Sequence, residues 1–356
     1  MGKKVLMKGN EAIGEAAIRA GCLNYFAYPI TPQSEVAEYL AKRMPEVGGV
    51  FVQGESEVAV GYMLFGAAGA GARVFTTSSS PGISLMSEAI SYIAGAQCPC
   101  VFVNIIRGGP GLGGILPSQG DYFQSVKGGG HGDYRMLVMA PASVQEAVEM
   151  VMVAFPLAEK YRGPIMILGD GLIGQMMEPV QFPDDLATDP SNKDDWATNG
   201  METRKSGTRN LVKSLYLDPE QLNDHNLLLK SKYDRMKQEE IRYEAYNTDG
   251  DYVSLIVSYG TMSRVCKTAI DNLKEEGVEV GMIRPQTLFP FPDAAIREAA
   301  VKPSCKSVVS IEMSMGQMVE DVERCVQGQR PVGWYGKCGG EVPTPEEIMQ
   351  VIKEGI

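Results

Sequence analysis

The chain of 356 residues carries 33 Lys and Arg against 44 Asp and Glu, a formal net charge of −11, with 44% hydrophobic and 22% charged residues. This is the composition of a globular chain with a substantial core, long enough for two domains or one large one with an appendage. The acidic balance, without any basic tract, argues against a nucleic-acid surface. Seven cysteines and two histidines, scattered apart from the Cys98-Pro99-Cys100 pair, lack the spacing of a zinc site, an iron–sulfur cluster or a His-based triad. Reduced thiols in a cytoplasmic protein are therefore expected. The start, Met1-Gly2-Lys3-Lys4-Val5-Leu6, has basic residues but no long apolar stretch behind them, so no signal peptide is expected. Leu6 argues against myristoylation, and the absence of a run of about twenty apolar residues argues against a membrane span.

In chain order, Asn10 is placed to cap a helix whose apolar face is Ile13, Ala16, Ala17 and Ala20, with Gly21 at its exit. Cys22 to Tyr28 reads as a buried strand ending in Tyr28-Pro29-Ile30-Thr31-Pro32, and Val36 and Leu40 mark the next helix. Thr31 before Pro32 has the form of an N-cap followed by proline at the first helical position, a reading that can hold beside a functional one. Phe51 to Gln53 reads as the end of a buried strand, followed by a sharp turn and a helix that opens at Glu57. A carboxylate there gains from the positive end of the helix dipole while facing the cleft beyond the strand. Taken alone, it could do no more than satisfy first-turn N–H groups. Ala59, Gly61, Gly66, Ala67 and Ala68 make this helix one that another backbone can approach closely, across a domain or subunit contact or within its own domain.

Arg73 to Thr77 is the next expected strand, running into Ser78-Ser79-Ser80-Pro81-Gly82, and the following helix carries Leu85, Met86, Ala89, Ile90 and Ile93. Cys100 to Ile106 reads as a strand buried on both faces, of the parallel kind, with Arg107 at its carboxyl end. Gly108 to Gly114 is so rich in glycine that it should lie close to a ligand or be very mobile. Ser143-Val144-Gln145-Glu146 has the form of a capping box opening a long helix, and Ile165 to Leu168 reads as the last strand of this half. The alternation predicts a largely parallel sheet with helices on both faces. Such sheets bind ligands beyond the carboxyl ends of their strands, where Thr31, Glu57, Ser78 to Gly82 and Arg107 all fall. A carboxylate, a hydroxyl and a fixed cation suit a cofactor base together with a substrate carboxylate.

Two motifs are set aside. Gly109-Pro110-Gly111-Leu112-Gly113-Gly114 fits a dinucleotide fingerprint, but Ile115-Leu116-Pro117 follows it instead of a helix. Gly169-Asp170-Gly171 resembles the start of a motif that holds thiamine diphosphate and its magnesium ion. The asparagine pair that should close it is missing, Asn192 and Asn199 standing apart in a polar loop, so it reads as an ordinary strand exit. Beyond Gln181 the chain is a polar loop, then a helix capped by Asp218-Pro219 with Leu222, Leu229, Tyr233 and Met236 along one side, a connector lying on another surface. A second α/β unit follows, with strands at Val253 to Tyr259, Val278 to Ile283 and Ser307 to Glu312, a helix from Met262 to Glu276, and Ser314 to Gln317 opening another.

Tyr28-Pro29-Ile30-Thr31-Pro32, the Ser56-Glu57 turn, the serine loop from Thr76 to Gly82 and Arg107 together resemble the α subunit of 2-oxoacid:ferredoxin oxidoreductases. The likeness runs on through Gly108 to Gly114, Pro117-Ser118-Gln119-Gly120-Asp121-Tyr122 and Gly169 to Gln175. Arg284 to Pro292 and Glu312-Met313-Ser314-Met315-Gly316-Gln317 are similar to the transketolase C-terminal-like domain of that family. The likeness covers nearly the whole chain and is closest to the 2-ketoisovalerate (3-methyl-2-oxobutanoate) branch.

The resemblance implies an α/β architecture: a thiamine diphosphate-binding (pyrimidine-type) parallel-sheet domain over 1–180, a linker with a long helix over 181–250, and a transketolase C-terminal-like α/β domain over 251–356. It implies thiamine diphosphate shared with a β subunit that holds the diphosphate, Glu57 bonding N1′ of the aminopyrimidine so that its imino form can take the C2 proton. Thr31 and Arg107 would bind the 2-oxoacid, with Tyr28, Pro29, Ile30, Ser80, Pro81 and Gly82 lining the cofactor. Mg2+ and 4Fe–4S clusters would lie on partner subunits, the β subunit and a γ subunit, a ferredoxin-like δ subunit, or both. The implied reaction is coenzyme A-dependent oxidative decarboxylation with electrons passed to ferredoxin. The same motifs would serve 2-oxoglutarate, pyruvate or an aryl pyruvate, and a non-catalytic assembly subunit is the reading from another class.

Overall fold

In the computed structural model, residues 4–187, 192–200, 207 and 209–355 are described. Met1 to Lys3, part of the start discussed above, and part of the polar loop lie outside these residues. The first half runs β1 (Val5–Lys8), α1 (Gly9–Arg19), β2 (Asn24–Ala27), α2 (Ser34–Glu46), β3 (Val50–Gln53), α3 (Glu57–Gly69), β4 (Val74–Ser78) and α4 (Pro81–Gly95). It continues with β5 (Cys100–Ile106), α5 (Tyr122–Val126), β6 (Leu137–Met139), α6 (Val144–Tyr161), β7 (Pro164–Asp170), α7 (Gly171–Gln175) and β8 (Met177–Val180). After the connector come α8 (Pro219–Glu239), β9 (Tyr243–Tyr246), β10 (Ser254–Val257), α9 (Gly260–Glu275), β11 (Val280–Pro285) and β12 (Thr287–Phe289). The chain closes with α10 (Asp293–Ala300), β13 (Ser307–Glu312), α11 (Met318–Val326), β14 (Val332–Gly336) and α12 (Pro345–Glu354).

A seven-stranded sheet has the order β12-β6-β7-β5-β4-β2-β3, parallel throughout except at β12. Its centre, β5 and β7, is buried along its whole length. Continuous apolar strands covered on both faces are what such a sheet requires. One layer packs α1 and α6 on this sheet, with Ile13, Ala16, Val148 and Phe155 in the core, and the other packs α3 and α4 with Val60, Leu64, Met86 and Ile90. A second sheet of five strands, β14-β13-β10-β11-β9, is parallel except at β9. The two units exchange edges: β12 leaves the second unit to close the first sheet against β6, while β9, within the segment read as a connector, joins the second sheet.

Several local expectations are corrected. Asn10 does not cap α1, which starts one residue earlier. Its buried side chain donates to the Pro32 carbonyl and to Glu35, both at 2.8 Å, and so ties α1 to the entry of α2. Thr31 does not cap α2 either, because that helix opens at Ser34 behind Gln33, with no side-chain cap. The strand before Glu57 is not buried: β3 is the sheet edge and half exposed. Leu85 and Leu222 face outward instead of inward. Ser143 accepts the Glu146 N–H at 3.1 Å, but the capping box is only half formed, since Glu146 turns its carboxylate to the Ala142 N–H and to Arg284. Nor is β7 the last strand of its half, as β8 follows and pairs with β1. The helix after Ser314 begins at Met318, where the buried Glu312 carboxylate accepts the N–H groups of Gln317, Met318 and Val319 at 3.0, 2.9 and 3.1 Å.

The connector helix α8 packs Leu229, Tyr233 and Met236 onto the first domain, and Tyr161 donates its hydroxyl to Glu240 at 2.8 Å. The two domains are clasped by Arg284 of β11. Its guanidinium donates two bonds of 2.8 Å to Glu146 at the start of α6 and one of 2.7 Å to Glu244. Burial pushes the Glu146 carboxyl up, but Arg284, the Ala142 N–H and Gln286 together hold it below the ordinary range. Removing one partner of such a pair strands the other, so Arg284→Met is expected to cost about 3 kcal/mol in denaturant unfolding. Because the folded-state pKa of Glu146 is depressed, its contribution is present at neutral pH and is lost as pH falls through that lowered value. The gap between native and variant protein should therefore narrow in acid.

Candidate active site

The residues singled out from sequence meet at the carboxyl ends of β2, β3, β4 and β5. Glu57 is the first residue of α3, behind the N-cap Ser56, whose hydroxyl accepts the Ala59 N–H at 3.2 Å. The glutamate is 7% exposed and leans on Gly82, the second residue of α4. A methyl group on Gly82 would lie 2.1 Å from Ser78 Oγ and 3.0 Å from Glu57 Oε1, so this position has room only for hydrogen. Gly82→Ala is therefore expected to displace Ser78 Oγ and the Glu57 carboxylate, lowering activity about 10²-fold, the usual effect of an ångström of misplacement, and costing about 1–3 kcal/mol in denaturant unfolding through overpacking.

Arg107 stands where β5 ends and is 8% exposed. It donates from Nη1 to the Thr31 carbonyl at 3.0 Å and from Nη2 to the Leu112 carbonyl at 3.4 Å, while its buried Nε has no partner. Its main chain is bonded twice to Ser80: the Arg107 N–H donates to Ser80 Oγ at 3.1 Å, and that hydroxyl donates to the Arg107 carbonyl at 3.3 Å. Thr31 is exposed at the rim, with Tyr28 and Pro29 on the same segment and Ile30 half-buried between them. The structure thus joins Thr31 to Arg107, Arg107 to Ser80, and Gly82 to Glu57, with Pro81 spanning the last gap. Glu57 itself makes no hydrogen bond to Thr31 or Arg107.

Beneath this layer lie residues that sequence reasoning missed. The Ser80 turn has a positive φ of 20°, unusual for a serine. Its N–H donates to Asn104 Oδ1 at 3.0 Å, and Asn104 Nδ2 donates to Asp121 Oδ2 at 2.8 Å. Burial lifts the Asp121 pKa above its ordinary value despite the opposing bond from Asn104. On the other side, the Tyr25 hydroxyl lies 2.7 Å from that of Thr77, which donates to Gln33 Oε1 and so fixes the turn after Pro32. The available signal was Asn104, a polar residue inside an otherwise apolar strand. Asp170 proves to be an anchor: one oxygen accepts the N–H groups of Leu172 and Ile173 at 2.9 and 3.1 Å, and the other takes the Thr261 hydroxyl from the second domain.

The arrangement suits a ligand that is both aromatic and polar. The hydroxyls of Ser78 and Ser79 and Arg107 Nε are buried without partners, a state that ordinarily costs stability unless a ligand or water completes it. A buried carboxylate at a helix start can hold a ring nitrogen, and a guanidinium with a free N–H can take a carboxylate. Among the described residues no cluster of His, Cys, Asp and Glu could hold a metal ion, and no helix is long and apolar enough to cross a membrane.

A parallel sheet with the candidate residues at its strand ends, beside a second α/β unit, defines an α/β protein that takes its ligand beyond the carboxyl ends of its strands. Residues 15–244 match the thiamine diphosphate-binding family of pyruvate flavodoxin/ferredoxin oxidoreductases, and residues 252–348 match core domain II of pyruvate:ferredoxin oxidoreductase. The ketoisovalerate oxidoreductase subunit VorB of Methanothermobacter thermautotrophicus is 47% identical over 98% of this chain and 97% of its own. The 2-oxoglutarate synthase subunit KorA of Methanocaldococcus jannaschii is 36% identical over 98% of this chain and 99% of its own. The solved 2-oxoglutarate:ferredoxin oxidoreductase of Magnetococcus marinus superimposes with a TM-score of 0.84 at 27% identity. That alignment covers 99% of this chain, which spans 65% of the length of the solved chain. A split-gene transketolase, at 14% identity and a TM-score of 0.56, shares the fold. The chain belongs to the 2-oxoacid:ferredoxin oxidoreductase family, as one subunit of an oxidoreductase that uses thiamine diphosphate.

Proposed function

We propose that this chain is the α subunit of a cytoplasmic, coenzyme A-dependent oxidoreductase that decarboxylates 2-ketoisovalerate and related branched 2-oxoacids, passing electrons to ferredoxin. The observation that carries the reading is the meeting of Glu57, Thr31 and Arg107 around Ser80-Pro81-Gly82, with two serine hydroxyls and Arg107 Nε left unpaired. Thiamine diphosphate, when bound, supplies the electron sink for decarboxylation. Glu57 holds the proton at N1′ of its aminopyrimidine, while Tyr28, Pro29, Ile30, Ser80, Pro81 and Gly82 line the ring. Arg107 orients the substrate carboxylate through charge-assisted bonds, and the Thr31 hydroxyl bonds the same group or the carbonyl. The domain at 1–180 carries these residues, the linker at 181–250 lays α8 against it, and the domain at 251–356 braces it.

Mg2+, the diphosphate and the 4Fe–4S clusters belong on the β subunit and on a γ or ferredoxin-like δ subunit. In support, six of the seven cysteines are free and buried in the core, and both oxygens of Asp170 are engaged within the chain. The higher identity to ketoisovalerate subunits than to 2-oxoglutarate subunits favours a branched substrate. So do Leu112, Ile115 and Leu116, exposed apolar residues in the loop that Arg107 touches. The test is to isolate the complex anaerobically through a tag on this chain and to assay coenzyme A-dependent viologen reduction with a panel of 2-oxoacids. Preference for 2-ketoisovalerate is expected. Preference for 2-oxoglutarate or pyruvate would overturn the substrate, and no activity with any would favour an assembly role.

A further inference from the structure

The two catalytic-side contacts of the site, Arg107 and Gly82, both depend on the turn at Ser80, and that turn is held from below. Asn104 is fully buried in β5 and uses both ends of its amide: Oδ1 accepts the Ser80 N–H at 3.0 Å and Nδ2 donates to Asp121 at 2.8 Å. Asp121 is in turn held in place from the second domain on either side of it. The Gln119 N–H donates to the Met313 carbonyl at 2.8 Å, its side-chain amide donates to the Tyr259 carbonyl at 2.9 Å, and it accepts the Met313 N–H at 2.9 Å. Gln317 donates to the Gly120 carbonyl at 2.7 Å and accepts the Phe123 N–H at 2.8 Å. A buried polar side chain in a central strand is costly unless both ends are satisfied, and here both are.

We propose that Asn104 and Asp121 are a positioning pair for the substrate-binding arginine, through which the second domain fixes the Ser80 turn and hence the direction of Arg107. The proposal rests on the site reading above and assigns roles to two residues that touch neither substrate nor cofactor. Ser80 sits at a φ of 20°, a conformation that persists in a serine only when surrounding bonds impose it. The bond from Ser80 N–H to Asn104 is one such restraint, and the paired bonds between Ser80 Oγ and the Arg107 main chain carry it to the guanidinium. Without the amide, the turn is free to relax, and Arg107 loses its fixed position against the Thr31 carbonyl.

Two variants of the intact complex test this. Asn104→Leu keeps the volume and removes both bonds. Asn104→Asp combined with Asp121→Asn reverses donor and acceptor between the two side chains and keeps both. The single variant is expected to raise KM for the 2-oxoacid about tenfold or more, with thiamine diphosphate affinity unchanged within about threefold. The exchanged pair should return KM to within about threefold of the parent. A wild-type KM in Asn104→Leu would overturn the proposal, and so would an exchanged pair that binds substrate no better than Asn104→Leu or fails to assemble. Crystal structures of the same complexes give a readout independent of turnover. Arg107 should leave the Thr31 carbonyl in the single variant and return to it in the exchanged pair. Arg107 unmoved in Asn104→Leu would sink the pair, whereas an unmutated complex that neither binds nor oxidises any 2-oxoacid would sink the site reading instead.

Discussion

Glu57→Gln in the assembled complex is expected to lower kcat by about 10²–10⁴-fold, the range contributed by a positioned acid–base group. The substitution preserves size in a place where size is critical, since the side chain lies close against Gly82. Thiamine diphosphate should therefore still bind, and the loss should fall on turnover. A variant that binds cofactor normally and turns over normally would remove Glu57 from the chemistry. Its position at the start of α3 would then do no more than favour the helix dipole, worth about 0.3–1 kcal/mol.

The second large effect concerns Arg107. Arg107→Gln should depress kcat/KM for the 2-oxoacid by about 10²-fold or more, because removing one side of a buried, hydrogen-bonded charge pair costs about 2–5 kcal/mol. The loss should appear mainly in KM, measured in steady state with cofactor saturating. Arg107→Lys should recover only part of it. Nη1 and Nη2 are committed to the carbonyls of Thr31 and Leu112 while Nε is free, a geometry that a single ammonium cannot reproduce. Equal kcat/KM in all three proteins would remove Arg107 from substrate binding.

How much of this was legible in the sequence depends on where the stabilising partner lies. The strand Cys100–Ile106 falls where a run that is apolar apart from Asn104 puts it, because a strand buried on both faces announces itself locally. The grouping of Thr31, Glu57, Ser80 and Arg107 follows from parallel topology alone, once each is assigned to a strand end. Features that depend on distant partners carry a misleading local pattern. Asn10 has the form of a cap, yet its partners are Pro32 and Glu35. Glu146 has the form of half a capping box, yet Arg284 claims it from the other domain. The short strands β9 and β12 carry too little pattern to be read, and each is made a strand by the neighbour it pairs with. Asn104 and Asp121 are 17 positions apart, and nothing local marks them as a pair.

The most direct measurement is a crystal structure of the whole complex with thiamine diphosphate bound. The expected result is the aminopyrimidine ring lying against Ser80, Pro81 and Gly82, with N1′ within hydrogen-bonding distance of the Glu57 carboxylate and the Ser78 or Ser79 hydroxyl no longer without a partner. A cofactor ring held by other residues, with Glu57 facing no ligand, would contradict the account.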